Sequence, residues 1–113
     1  MKEIKAYIKP HKLTNVTMNL QKIDGLTGVS ISNVRGFGRS RAKNAPDKFS
    51  EDSIDLIPRI KIEIVCKNEL VDLIVATIEK TAHTGLRGDG KIYVSDVDAA
   101  VRISTGEHGE RAI

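Results

Sequence analysis

Thr84-Gly85-Leu86-Arg87-Gly88-Asp89-Gly90-Lys91 is the stretch of this chain whose residue types and spacing could do chemistry. Glycines reach the positive φ values that turn successive N–H groups into one concavity, and a lysine closing such a turn adds a point charge suited to phosphate. Gly85, Gly90 and Lys91 reproduce the G-x4-G-K half of a P-loop. The match fails at Ile92, which stands where a Mg²⁺-binding Ser or Thr belongs, and Lys91-Ile92-Tyr93-Val94 reads as a strand where a P-loop opens a helix. Two readings of the turn remain: an anion cradle, or a glycine-rich connection between helix and strand, because Asp-Gly is a common turn dipeptide.

Other chemistry finds little support. His11, His83 and His108 stand apart, without metal-ligand spacing, and read as surface or packing residues. Asp96 and Asp98 lie two apart near a strand end, the pattern of a solvated turn more than of a paired acid and base. Cys66 is the only cysteine, which excludes an internal disulfide and a thiolate cluster; its apolar setting predicts a small core residue.

With 113 residues the chain has room for one domain and one core, but not for an elaborate enclosed active site, so function is expected on loops or between subunits. No run approaches a membrane span, and Met1-Lys2-Glu3-Ile4-Lys5 lacks the apolar core of a signal peptide, which predicts a cytoplasmic protein without membrane insertion. The net charge of +3 is spread along the chain among acids, and with only two Tyr and two Phe there is no base-stacking string, so nucleic-acid binding is not expected.

These residues must be positioned by a small set of elements. Lys5-Ala6-Tyr7-Ile8-Lys9 reads as a strand stopped by Pro10. Leu13, Val16, Leu20 and Ile23 mark a helix face ending near Asp24-Gly25, and Val29, Ile31 and Val34 outline a second strand. The alternation from Ile60 to Val65 marks a third strand with one buried face. A second helix runs through Leu70, Val71, Leu73, Ile74, Ala76, Thr77 and Ile78 with Asn68 as its N-cap, and a fourth strand spans Lys91 to Val97, followed by a short tail carrying Arg102. The order β-α-β-β-α-β predicts an α+β, ferredoxin-like fold: an antiparallel sheet with two helices on one face.

From Ser40 to about Ser53 almost nothing is apolar. A polar excursion of that length between two strands argues for a functional loop, and its mixed charge suits an arm that orders on a partner; the alternative is a disordered hairpin tip.

Taken together, Ile8-Lys9-Pro10, Val34-Arg35-Gly36-Phe37-Gly38-Arg39, Ile60 to Val65, Thr84-Gly85 with Gly88 to Ile92, and Arg102 with Thr105-Gly106-Glu107 resemble the PII signal-transduction proteins over essentially the whole chain. The resemblance implies a single domain over 1–113 that forms a homotrimer. It further implies ATP or ADP in the clefts between subunits, a T-loop at about 37–57, a B-loop at about 83–91 and a C-loop at about 101–113. It places Gly36, Gly38 and Arg39 at the T-loop base beside the phosphates, and Gly88, Asp89, Gly90 and Lys91 in the phosphate-cradling B-loop. Ser30, Glu63 and Val65 fall where such proteins contact the adenosine portion, and Arg102 matches an arginine reaching in from the neighbouring chain. Arg41, Lys43, Lys48, Phe49, Glu51 and Asp52 become the partner-contacting part of the T-loop.

The departures carry expectations of their own. Ser40 replaces the glutamine that helps hold Mg²⁺ in members sensing 2-oxoglutarate, and its hydroxyl is too short to reach the same point, so the resemblance leaves Mg²⁺ open and does not carry 2-oxoglutarate over as a ligand. Arg59 stands where a lysine is usual, Arg87 where the residue is usually apolar, and Ser104 where a second C-loop arginine is found. Asp52 occupies the place of the uridylylated tyrosine; Ser50 falls where some relatives are phosphorylated, but its surroundings differ. The resemblance implies a non-catalytic regulator of a membrane transporter, either an ammonium channel or a metal efflux pump, or of a nitrogen-metabolism enzyme. Val34 to Ala42 leans toward the variants associated with metal efflux. The contrasting class is an acylphosphatase-like hydrolase on the same topology, which would turn over an acyl phosphate.

Overall fold

The computed structural model describes residues 1–38 and 56–113. Among the described residues four strands and two α-helices follow one another as β1 (Lys2–Ile8), α1 (Leu13–Leu20), β2 (Ser30–Gly36), β3 (Ile57–Cys66), α2 (Val71–Ala82) and β4 (Lys91–Asp96). The strands form one antiparallel sheet in the order β2-β3-β1-β4, the ferredoxin-like arrangement.

Period-two alternation decides which side chains the sheet buries. Ile4, Ala6 and Ile8 of β1 and Ile60, Ile62, Ile64 and Cys66 of β3 face the helices, where Val16, Leu20, Ile74, Ile78 and Ala82 complete the core. Each fully buried Ile contributes roughly 1.5–3 kcal/mol through removal of apolar surface from water. The intervening residues form the open face, where Lys61 pairs with Glu63 at 3.0 Å and the rings of Tyr7 and Tyr93 meet edge to face at 6.3 Å. The edge strands are less well covered: Ile31 of β2 stays 46% exposed and Val94 of β4 45%.

Several boundaries differ from those read in the sequence. β1 starts at Lys2 and leaves Lys9 outside the ladder. Helix α1 ends at Leu20; single turns carry the chain on, with Ile23 N–H donating to Leu20 and Leu26 N–H to Ile23. Asn68 does not cap α2, since it already belongs to the 3-10 turn Asn68–Leu70, and the extended residue before that turn is Lys67. β4 stops at Asp96, one residue before Val97.

The tail is more ordered than a short extension. Val101 and His108 form a bridge, Arg102 N–H donates to Glu107 at 2.9 Å, and a 3-10 turn, Gly109–Ala112, follows. Among the described residues no helix is long and apolar enough to cross a membrane.

Candidate functional site

The glycine turn joins the C-terminus of α2 to the start of β4, and an aspartate inside it holds it closed. Both carboxylate oxygens of Asp89 are occupied: the Thr84 N–H donates at 2.9 Å and the Gly85 N–H at 3.3 Å, and the Thr84 hydroxyl donates as well. The Lys9 ammonium sits 3.2 Å from the same carboxylate and donates to the Thr84 hydroxyl at 3.2 Å. That hydroxyl also accepts from the Leu86 N–H at 3.1 Å, so its one donor and two acceptor positions are all used. His83 adds a ring nitrogen 3.5 Å from Asp89.

Two glycines make this packing possible. Gly90 has φ +104°, and a Cβ there would fall on the backbone carbonyl oxygen of Tyr7 in β1. Gly88 has φ +84°, and its missing side chain leaves room for the Arg59 guanidinium, 2.9 Å from where a Cβ would lie, with Lys9 Cε at 3.8 Å. The loop therefore lies against the end of the sheet with Lys9 and Arg59 beside it, while Arg87 and Lys91 are exposed at its rim. Positive φ values that open an N–H concavity, together with cations around it, suit a polyanion.

A second group gathers further along the sheet. Ser30 and Glu63 are register partners across β2 and β3, and with Gly28, Val65, Arg102 and Ile113 they line a recess of about 460 Å³. Here Arg102 is held by its own chain, its guanidinium 3.7 Å from Glu107, whose carboxylate also accepts from the Thr105 hydroxyl at 2.9 Å.

Residues 1–107 match the family model described as nitrogen regulatory protein P-II. The chain is 46% identical to the nitrogen regulatory protein P-II of Haemophilus influenzae, with all of both chains covered. It is 45% identical, again over the full length of both, to that of Pasteurella multocida and to nitrogen regulatory protein P-II 1 of Escherichia coli. This chain belongs to the P-II family. P-II proteins are regulators and not enzymes, which sets aside the small-hydrolase alternative.

In this P-II chain the residues singled out in the sequence divide into four sets. Gly88, Asp89, Gly90, Lys91, Arg87 and Arg59 come together at the glycine loop, whereas Ser30, Glu63, Val65 and Arg102 gather at the second recess. Gly36 ends β2 and Gly38 follows it. Arg39, Ser40, Arg41, Lys43, Lys48, Phe49, Ser50, Glu51 and Asp52 lie outside the described residues.

Sequence reasoning missed two members of the loop cluster. Lys9 and Thr84 appeared only as parts of motifs, yet both contact Asp89; the signal was a lysine placed directly before a strand-ending proline. Asp89, expected in the phosphate-cradling loop, lies in that loop and accepts from Thr84 and Gly85 within it and from Lys9 outside it. Among the described residues no group of His, Cys, Asp and Glu is arranged to hold a metal.

The Thr84 hydroxyl and then its backbone N–H, with lesser help from Lys9 and the Gly85 N–H, hold the Asp89 carboxyl far below the usual carboxylate range, against an opposing effect of burial that exceeds either of the last two alone. A depressed folded-state value stabilises the protein above the unfolded value of about 3.9, and this contribution is lost as pH falls through the folded value. Asp89→Asn should therefore lower the urea midpoint by a constant amount from pH 7 to about pH 5, with the gap to the parent closing only below about pH 4. A gap that closed already near pH 6 would contradict this arrangement.

Proposed function

We propose that this chain is a homotrimeric P-II regulator that binds ATP or ADP between subunits and passes its nucleotide state to a target protein through the segment at about 37–57. The carrying observation is the glycine loop closed by Asp89, with Lys9 and Arg59 beside it and Lys91 at its rim. Gly36, Gly38, Arg39, Arg59 and 87–91 form the phosphate half of the site. Glu63 and Val65 contact the adenosine, and Ser30 and Arg102 complete the cleft, Arg102 from the adjoining subunit.

Arg59, beside Gly88, and Glu63, in the Arg102 recess, are four residues apart on β3, which places the two groups roughly 13 Å apart along one strand. The half-covered edge strands and the open face bearing Lys5, Tyr7, Tyr93 and Ser95 supply surface for subunit packing. A nucleotide spanning two chains would then stabilise the assembly by mass action.

The relatives are named for nitrogen regulation, which favours a nitrogen-related target, such as an ammonium channel or a nitrogen-metabolism enzyme, over a metal efflux system. The regulator works in the cytoplasm and meets a membrane only through such a partner. Ser40 in place of glutamine predicts little response to 2-oxoglutarate.

Calorimetry with light scattering tests the reading: a trimer taking up ATP and ADP is expected, and Lys91→Ala should keep the trimer while weakening ATP about tenfold or more, the loss of one charge-assisted contact. Unchanged affinity in that variant would remove Lys91 from the site, and a monomer without nucleotide heat would end the proposal.

A further inference from the structure

Lys9 is a nearly enclosed cation, its side chain 15% exposed, at a junction of three elements. It directly follows β1, whose Ile4, Ala6 and Ile8 are core residues. Its carbonyl accepts the Lys12 N–H at 3.0 Å, opening the turn Pro10–Lys12 that leads into α1. Its ammonium ends 3.2 Å from both Asp89 Oδ1 and Thr84 Oγ1, and its Cε packs beneath Gly88. A buried ammonium requires such partners, and once it has them their positions are tied to the rigid strand that carries it.

We propose that Lys9 is the positioning residue of the glycine loop, holding Asp89 and Thr84 so that the loop backbone at 85–91 is set to receive an anionic ligand. The proposal rests on the nucleotide reading above and adds how the cradle keeps its shape. Asp89 organises the loop by accepting N–H groups, but a bare carboxylate there would also repel phosphate. Lys9 neutralises that charge and fixes its direction, leaving Arg59, Arg87 and Lys91 to meet the ligand. Pre-set dipoles bind a charged ligand without the cost of ordering them at the moment of binding.

Four variants decide it: Lys9→Met, Lys9→Arg, Asp89→Asn and the double Lys9→Met/Asp89→Asn. In the nucleotide-free protein, Lys9→Met should raise the carboxyl-carbon NMR titration of Asp89, which the Thr84 donors still hold below the ordinary aspartate range, while Lys9→Arg leaves it at the parent position. ATP affinity should fall about tenfold in Lys9→Met and in Asp89→Asn, and the double variant should lose no more than Asp89→Asn alone, because a residue that acts through another adds nothing once that other is gone.

Losses that multiply in the double variant would make Lys9 an independent ligand contact and overturn the proposal, as would an Asp89 titration indifferent to Lys9→Met. If the parent bound no nucleotide, the site reading would fail and Lys9 would have no ligand to position; the titration would still show whether Lys9 holds the loop. Urea midpoints of all four variants establish that the affinities compare folded proteins.

Discussion

Gly90→Ala should destabilise the chain by about 3 kcal/mol or more, although it adds a single methyl group. Roughly 1 kcal/mol belongs to placing a Cβ on a left-handed backbone at φ +104°. The remainder comes from the Tyr7 carbonyl oxygen, which occupies the space the methyl would need. That oxygen cannot swing aside as a side chain can: Tyr7 pairs with Lys61 on one side and Lys91 on the other, so relief requires unzipping the start of β4 or displacing the central strand. Gly88→Ala is the control. Its Cβ would meet the far end of Arg59, a long flexible side chain tied to the neighbouring Pro58 carbonyl, and the cost should stay near the 1 kcal/mol of the backbone conformation. Urea unfolding at fixed protein concentration checks the pair. Equal midpoints for the two variants would mean that the loop does not pack on β1 as described.

The second large effect lies in the core. Ile62 is fully buried at the centre of β3, flanked by Ile31 on β2 and Ala6 on β1. Ile62→Ala removes three carbons from a place where strands on both sides and helices above limit collapse, and should cost about 2–5 kcal/mol. Ile103, fully exposed within the subunit, should tolerate alanine to within about 0.5 kcal/mol. A clearly larger loss at Ile103 would reveal that another subunit covers it. If the proposed trimer forms, stability depends on concentration, so both variants are compared with the parent at the same protein concentration.

The sequence disclosed most where local pattern and tertiary demand agree. The alternation of Ile60, Ile62 and Ile64 and the helical spacing of Ile74 and Ile78 appear in the structure as core residues. Three glycines and a lysine before a strand likewise identified the loop. Legibility failed where distant contacts decide. β3 begins at Ile57 and takes in Pro58, which a sequence reader excludes from a sheet interior; Pro58 pairs with Arg35 on β2, while β1 joins β3 only from Ile60 onward, so the ladder on that side is not yet required. Asn68 resembled a cap because its residue type is right, but the chain before it enters a 3-10 turn one residue earlier than the cap would need. The Lys9 contact of Asp89 is not legible locally, since the ammonium comes from the other end of the chain.

Cys66 closes β3 with its thiol 2% exposed, and burial pushes that thiol's pKa up. As the chain's only sulfhydryl, it gives the molecule an internal clock. A thiol-reactive reagent reaches it only when β3 parts from its neighbours, so the labelling rate counts openings of the fold and not collisions with its surface. Anything that binds the folded chain and tightens it slows that clock without altering the thiol itself, and the protein can report its own cooperativity with no foreign probe attached.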